Sequence, residues 1–172
     1  VDYCNKCDSI QLRHCLDEEV LYKNYTYMTP DIGYLSDHYD YLVKFLKDQK
    51  VLNKDKQCIE IGSNTGLFIK KLLPEFKKVI GIDPAENIAE LANQSGIETI
   101  CDFFGEKSAN KILDEYGLMD LIIARHMFAH NADPTEMLEG MKNLLTEKGF
   151  IFIENAYAID TFNHGEFDQI YH

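Results

Sequence analysis

The stretch from Cys58 to Gly66 reads CIEIGSNTG and constrains the fold more than any other part of the chain. An apolar run ends at Ile61, a turn containing Gly62 and Gly66 follows, and LFIKKLL then shows the apolar spacing of a helix. A second apolar run, VIGI, ends at Asp83, about 20 residues beyond the start of that turn. This spacing is typical of the nucleoside-binding half of a doubly wound parallel sheet, so we expect a ligand that carries a ribose.

The pattern after Lys50 alternates apolar strands with amphipathic helices. The predicted strands are CIEI, VIGI, ETIC, LIIA and FIFIE, and a helix from Ser36 to Leu46, capped by Ser36, precedes them. Nearly continuous apolar strands separated by helices indicate a parallel sheet with helices on both faces. Cys58 and Cys101 fall within these strands, where we expect buried apolar filler. The final stretch, AYAIDTFNHGEFDQIYH, shows no clear period.

The composition disfavours several classes of protein. The chain has 172 residues, of which 45% are apolar, and lacks the run of roughly 18 apolar residues that crosses a membrane. Its N-terminus, VDYCNKC, has no signal-peptide layout. The 29 acidic and 17 basic residues give a formal net charge of -12, without a basic cluster that could track phosphates. We therefore expect a cytoplasmic protein that binds neither nucleic acid nor membrane.

Cys4 and Cys7 form a CxxC pair, which is typical of a metal knuckle or a redox pair. A tetrahedral zinc site needs four ligands, and this pair supplies two. His14 and Cys15 are poor candidates for the others, because adjacent residues of an extended chain point to opposite sides. We interpret Cys4 and Cys7 as half of a zinc site whose second CxxC lies upstream. A chance pair of thiols is the alternative.

Two predicted helices begin with the same pattern, DPAE at Asp83 and DPTE at Asp133. In each, the aspartate can cap the helix, the proline can take the first helical position, and the glutamate can complete a capping box. We favour this interpretation for Asp133. For Asp83 we favour a ribose contact, since a carboxylate at the carboxyl end of the second strand holds ribose hydroxyls in such folds.

The glycine turn discriminates between nucleoside cofactors. Asn64 stands where a dinucleotide-binding turn has its second glycine, so a pyrophosphate would meet a side chain there. S-adenosylmethionine has no pyrophosphate. Glu60 offers a carboxylate near its expected ammonium group, and backbone amides of the turn can bind its carboxylate. We therefore favour S-adenosylmethionine as the cofactor, with NAD and an oxidoreductase activity as the alternative.

Five motifs in one order give the chain a specific resemblance to a known family: EIGSNTG, GIDPAENIAELA, DFF, ARHMFAH and EFDQIYH. Together they resemble the class I S-adenosylmethionine-dependent sugar C-methyltransferases. That family acts on nucleotide-linked 4-keto-deoxysugars and carries an N-terminal zinc-binding domain with two CxxC knuckles. The resemblance covers nearly the whole chain. It implies a Rossmann-like class I methyltransferase sheet, of which five parallel strands are expected here and the last strands are missing.

The resemblance also implies roles for individual residues. Asp83 would bind the ribose, and Asp102 would accept the adenine amino group while the ring of Phe103 covers the base. One of Phe103 and Phe104 is expected in the core instead. The cofactor-binding residues implied are Glu60, Gly62, Ser63, Asn64, Gly66, Asp83, Pro84, Ala85, Asp102, Phe103, Arg125 and His126.

Tyr171 matches the active-site tyrosine of the family's YHEH segment, and we expect Tyr171 and His172 to be catalytic. The other Glu and His of that segment and one CxxC are not in the sequence, so we expect part of a longer protein. Residues 1–33 are interpreted as the remnant of a zinc-binding segment with a connector, and residues 34–172 as the S-adenosylmethionine-binding domain. The implied reaction methylates an enolate formed beside a keto group. We expect this chain by itself to bind the cofactor but to be inactive or very feeble on its small-molecule substrate, a nucleotide-linked sugar. A non-catalytic S-adenosylmethionine-binding module is a further alternative.

Overall fold

The N-terminal part of the chain forms small elements beside the main sheet. The computed structural model describes residues 2–14, 16–23 and 25–166. Strands β1 (Asp2–Tyr3) and β2 (Ile10–Gln11) pair as an antiparallel hairpin, and helix α1 (Glu18–Tyr22) follows. The long helix α2 (Gly33–Asp48) then leads to the main sheet. Its buried residues recur at helical spacing, so one face of α2 packs on the sheet.

The main sheet is parallel throughout the described residues. Its strands are β3 (Gln57–Ile61), β4 (Lys78–Ile82), β5 (Thr99–Ile100), β6 (Met119–Arg125) and β7 (Leu145–Glu154). Their order across the sheet is β5-β4-β3-β6-β7, so the chain moves outward on one side of β3 and then returns to its other side. The gap between β3 and β6 is therefore a topological switch point. Ligands bind outside the carboxyl ends of the strands at such points.

Helices cover both faces of the sheet. They are α3 (Leu67–Leu72), α4 (Glu86–Gln94), α5 (Glu106–Tyr116) and α6 (Pro134–Leu144), with a single 3-10 turn at Phe128–His130 and helix α7 (Ala158–His164) after β7. One buried cluster lies under α2 and α3 and includes Leu42 and Phe68. The other lies under α5 and α6 and includes Ile112 and Met141. Because both faces of β3, β4 and β6 are buried, these three strands are largely apolar, whereas the edge strand β7 is partly exposed along its length.

The predicted α/β sheet is confirmed, and some local predictions are wrong. Helix α2 begins at Gly33 after Ile32, without a side-chain cap, so Ser36 lies inside the helix rather than at its start. Strand β5 makes only a short ladder with β4 and ends at Ile100, which leaves Cys101 exposed beyond it. Helix α7 forms in a stretch that showed no clear period. Cys58 is fully buried, as predicted.

The capping prediction for Asp133 is confirmed. Its carboxylate accepts hydrogen bonds from the amides of Thr135 and Glu136, at 2.9 and 3.1 Å, and Pro134 is the first residue of α6. These contacts satisfy backbone groups that a helix start leaves without partners. No helix in the described residues combines the length and apolar character that a membrane span requires.

Candidate functional site

A cavity of about 490 Å³ opens at the carboxyl ends of β3, β4 and β6. The glycine turn after β3, the loop after β4 and the loop after β5 all face it, together with the end of β6. The cavity brings together every predicted cofactor residue except Glu60 and Gly66: Gly62, Ser63, Asn64, Asp83, Pro84, Ala85, Asp102, Phe103, Arg125 and His126. It therefore lies at the switch point of the sheet.

The glycine turn depends on residues that adopt left-handed backbone angles. Gly62, Asn64 and Gly66 have φ of 67°, 49° and 74°, which suits glycine and is tolerated by asparagine. The Gly62 amide donates to the carbonyl of Ile82 at 2.8 Å, so the turn is fixed to the end of β4. A Cβ on Gly66 would lie 2.6 Å from a methyl carbon of Ile97. Gly66 is thus required for close packing behind the turn.

Asp83 links the glycine turn to the loop after β4. Its carboxylate accepts the amide of Asn64 at 2.9 Å through one oxygen and the amide of Ala85 at 3.0 Å through the other. Helix α4 begins at Glu86 with Ala85 as the capping residue, so Asp83 does not form the capping box that was its alternative interpretation. Burial raises the pKa of the Asp83 carboxyl above its usual value, although the two amides oppose the rise.

Arg125 is a largely buried cation that lines the cavity. Its Nε donates to Oε1 of Glu60 at 2.9 Å, and its Nη1 lies 3.7 Å from Oε2 of Glu154. The guanidinium also lies 4.6 Å from the ring centroid of Tyr39 and 4.3 Å from that of Phe68. The side chain of Glu60 is 1% exposed, and burial raises its pKa while Arg125 opposes the rise.

Two buried carboxylate oxygens in this cluster accept no hydrogen bond from the described residues. They are Oε2 of Glu60 and Oε2 of Glu154, and the buried hydroxyl oxygen of Ser63 likewise has no hydrogen-bond partner among the described residues. Buried polar atoms normally have partners, so such atoms call for an explanation. Glu60 does not line the cavity itself. It lies one layer deeper than the position beside a ligand ammonium that the sequence predicted.

Histidines form one wall of the cavity. His38 on α2 pairs through Nε2 with Oε1 of Glu154 at 2.7 Å. His126 has a φ of 50°, its amide donates to the carbonyl of Glu154 at 2.7 Å, and its ring lies 3.8 Å from the Glu154 carboxylate. A non-glycine residue with such a φ is uncommon and often marks a functional site. The sequence analysis assigned no chemistry to His38, because one histidine on a helix gives no local signal.

The loop after β5 supplies the opposite wall. The amide of Phe103 donates to Oδ1 of Asp102 at 2.9 Å, and Oδ2 of Asp102 pairs with Lys111 at 2.9 Å. Phe103 is partly buried and lines the cavity, whereas Phe104 packs in the core under α5 and α6. This division between the two phenylalanines matches the expectation from the sequence.

Aromatic residues of the N-terminal segment complete the cavity. Tyr22, Tyr25 and Tyr27 line it, and the rings of Tyr22 and Tyr25 meet edge to face with centroids 5.5 Å apart. The ring of His130 lies 6.3 Å from that of Tyr22. Tyr25 and Tyr27 fall in the stretch that the sequence predicted to be a connector, whereas Tyr22 ends the short helix α1. The closely spaced tyrosines at 22, 25 and 27 were the available signal.

The predicted metal and catalytic residues lie apart from this cavity or outside the structure. Cys4 and Cys7 belong to the turn of the N-terminal hairpin, and Sγ of Cys7 lies 3.3 Å from the hydroxyl of Ser9. Contacts with Ser9 lower the pKa of the Cys7 thiol. In the part of the chain that the structure describes, no group of three or more potential ligands surrounds a common point. Tyr171 and His172 lie outside the described residues.

Comparisons with known proteins agree with the fold. The C-methyltransferase NovU of Streptomyces niveus is 34% identical over 169 residues, which are 98% of this chain and 40% of NovU. A tRNA U34 carboxymethyltransferase of Campylobacter jejuni subsp. jejuni serotype O:6 is 32% identical over 126 residues, which are 69% of this chain and 42% of that protein. The crystal structure of the plantazolicin methyltransferase BpumL in complex with a triazolic desmethylPZN analog and SAH superposes with a TM-score of 0.58 and 20% identity, covering 83% of this chain and 64% of that one.

These matches differ in what they establish. The likeness to BpumL concerns the fold, because the sequence identity is low. The chain spans 40% and 42% of the two curated relatives described above, so it corresponds to less than half of each. Residues 32–171, which include the whole main sheet, match the family described as methyltransferase domain. The chain therefore belongs to the methyltransferase-domain family.

Proposed function

We propose that this chain binds S-adenosylmethionine and serves methyl transfer to a carbon atom beside a keto group of a nucleotide-linked deoxysugar. The cavity at the switch point carries the cofactor assignment, because the glycine turn, Asp83 and Phe103 face one space of about 490 Å³. Ligand pockets typically measure roughly 300–1,000 Å³. The similarity to the C-methyltransferase NovU and the shared motifs support a carbon acceptor.

The adenosine half of the cofactor is assigned to Asp83, Asp102 and Phe103. Each oxygen of Asp83 accepts one backbone amide and retains a lone pair that a ribose hydroxyl can use. Phe103 offers a ring face to adenine, and Asp102 an acceptor to its amino group. For the methionine half, the Glu60 carboxylate pairs with Arg125 through Oε1, while its Oε2 accepts no hydrogen bond from the described residues and is the acceptor we assign to the ammonium.

The chemistry then depends on positioning and on charge. When bound, S-adenosylmethionine supplies an electrophilic methyl group. The protein must hold the acceptor carbon in line with that group and keep water away, which accounts for a large share of the acceleration in such reactions. Tyr171 is assigned the hydrogen bond to the developing enolate oxygen, and His172 follows it directly in the sequence. A base of suitable pKa must remove the proton from the acceptor carbon.

Cys4 and Cys7 lie in the N-terminal hairpin and do not line the cavity, so the proposed chemistry assigns them no step. Cys4 and Cys7 supply two thiols, and a closed tetrahedral site requires four ligands. The hairpin that carries them has no third ligand within the described residues. We retain the proposal that residues 1–33 derive from a zinc-binding segment and that residues 34–172 form the cofactor-binding domain, with Cys4 and Cys7 as half of a site.

Calorimetry with S-adenosylhomocysteine and with NAD tests the cofactor assignment. We expect S-adenosylhomocysteine to bind and NAD not to bind. Asp83→Asn should weaken S-adenosylhomocysteine binding by about tenfold or more, since a hydrogen bond to a charged group contributes roughly 1.5–3 kcal/mol. Asp133→Asn is the matched control, because Asp133 also precedes a proline but caps a helix and does not line the cavity. Tighter binding of NAD than of S-adenosylhomocysteine would overturn the assignment.

The carbon acceptor requires a separate test. Formation of an enolate predicts that, in a protein that carries this domain together with a complete YHEH segment, the hydrogen on the acceptor carbon of a nucleotide-linked keto-deoxysugar exchanges with solvent deuterium, and that Tyr171→Phe slows this exchange. This chain by itself should bind S-adenosylhomocysteine but show little or no exchange. Mass spectrometry of the sugar measures the exchange directly. Binding of S-adenosylhomocysteine by the longer protein without exchange or methylation of the sugar would instead favour a non-catalytic cofactor-binding module.

A further inference from the structure

The segment from Tyr25 to Thr29, here called the strap, forms part of the cavity wall without any helix or strand of its own. It contributes the side chains of Tyr25, Tyr27 and Thr29 to that wall. Tyr27 and Met28 are 56% and 53% exposed, so little apolar burial holds the strap in place. Its position must therefore depend largely on hydrogen bonds.

Side-chain amides of two asparagines supply those bonds. Nδ2 of Asn87, in the first turn of α4, donates to the carbonyl of Tyr25 at 2.9 Å. Nδ2 of Asn64, in the glycine turn, donates to the carbonyl of Tyr27 at 3.1 Å. Oδ1 of Asn64 accepts the amide of Thr29 at 2.9 Å. The carbonyls of Tyr25 and Tyr27, two residues apart, thus both accept hydrogen bonds from the main domain. This spacing is that of alternate residues on one side of an extended strand, and it fixes the strap along the chain direction.

Asn64 connects the strap to the proposed cofactor site directly. Its backbone amide donates to Asp83, and Oδ1 also accepts the amide of Thr65, so the carboxamide has a fixed orientation. One residue with a left-handed backbone therefore joins the ribose-binding carboxylate, the glycine turn and the strap. Because these hydrogen bonds join the two segments, a ligand that makes the glycine turn more rigid should also make the strap more rigid.

We propose that Asn64 is a positioning residue whose carboxamide holds the strap as the movable wall of the cavity, so that a ligand bound at the glycine turn orders that wall. The first part concerns the protein without ligand. The second part rests on the proposed function, because it needs an adenosyl ligand at the turn. The sequence predicted that Asn64 contacts the cofactor, whereas its side chain binds the strap.

Hydrogen exchange measured by NMR on the protein without ligand tests the first part. In Asn64→Gly, which keeps the left-handed backbone, the Thr29 amide should exchange about tenfold faster than in the wild type, since it loses its acceptor. Asn64→Asp keeps the acceptor for the Thr29 amide but cannot donate to the carbonyl of Tyr27. The Thr29 amide should therefore remain protected in this variant. Asn87→Ala is the matched control: it frees the carbonyl of Tyr25 and should leave the Thr29 amide unchanged. An unchanged Thr29 rate in Asn64→Gly would refute the positioning role.

The second part is tested by adding S-adenosylhomocysteine. In the wild type and in Asn87→Ala, binding should slow exchange of the Thr29 amide by a further severalfold. Calorimetry gives the affinity of Asn64→Gly for the ligand, and at a ligand concentration that saturates this variant the additional protection should be lost. A purely structural role of Asn64 would leave the ligand-induced protection in place, which would refute the coupling. Failure of S-adenosylhomocysteine to bind the wild type would refute both the proposed function and the coupling, while the exchange rates without ligand would still decide the positioning role.

Discussion

Replacing Arg125 by Met tests how far the buried charge cluster supports the fold. The substitution keeps an apolar stem between the rings of Tyr39 and Phe68 but removes the cation that faces Glu60 and Glu154. The Arg125 side chain is 11% exposed and that of Glu60 is 1% exposed, so water cannot replace the lost partner. The variant therefore leaves a buried carboxylate without its counterion.

The expected cost follows from this burial. Breaking a buried ion pair by removing one partner typically costs about 3–5 kcal/mol. The two ring contacts account for up to about 2 kcal/mol of that total. For a domain of this size, such a loss lowers the midpoint of thermal unfolding by roughly 6–20 °C. Loss of the cation also raises the pKa of Glu60 further, since Arg125 opposes the effect of burial.

Urea unfolding followed by circular dichroism measures the change. A carboxyl whose pKa is raised on folding favours the folded state below its unfolded pKa, and that contribution is lost as the pH rises through the folded pKa. Arg125→Met should therefore lose more stability at neutral than at mildly acidic pH. The double variant Glu60→Gln with Arg125→Met should be about 1–3 kcal/mol more stable than the sum of the two single losses predicts. Lys44→Met, which removes an exposed pair with Asp48, should leave the midpoint unchanged. A loss below about 1 kcal/mol in Arg125→Met would contradict the reasoning.

Other predictions concern the turn and its surroundings. Burial raises the pKa of the Asp83 carboxyl above 3.8, and the ionised carboxylate is the form that accepts ribose hydroxyls. The affinity for S-adenosylhomocysteine should therefore begin to fall before the pH has dropped to 3.8. Calorimetry that shows a constant affinity down to pH 3.8 would contradict this. Gly66→Ala should lower the free energy of unfolding by about 1–3 kcal/mol more than Gly96→Ala, since both have left-handed backbones but only the first meets Ile97; equal losses in urea would refute the packing argument. Cys101 should react with iodoacetamide in the folded protein, and because the thiolate is the nucleophile and burial raises the pKa of this thiol, the reaction should need a higher pH than that of a free cysteine; mass spectrometry detects the adduct, and protection until unfolding would be evidence against the exposed position.

Local patterns were sufficient to predict the main sheet. The strands at β3, β4 and β6 are buried on both faces, so their apolar runs were unambiguous. The start of α2 was wrong because sequence reasoning looked for a side-chain cap, whereas this helix begins after Ile32 without one. Strand β5 was drawn too long because its apolar residues continue beyond the two residues that pair with β4.

The candidate site was predictable on one side. Residues of the glycine turn, Asp83 and Phe103 follow strand ends directly, so the rules for parallel sheets place them at one edge. The other wall comes from long-range contacts: His38 pairs with Glu154, which is 116 residues away, and Asn64 bonds to Tyr27, which is 37 residues away. Hydrogen bonds over such separations leave no period in the sequence.

The double use of Asn64 limits how this scaffold can be redesigned. A protein engineer who wished to make the turn accept a dinucleotide would begin with Asn64→Gly, since that exchange restores the second glycine of the pyrophosphate-binding pattern. The same exchange would release the wall formed by Tyr27 and Thr29. Cofactor preference and the position of that wall are therefore not separable at Asn64, and a switch of cofactor would require a second anchor for the wall.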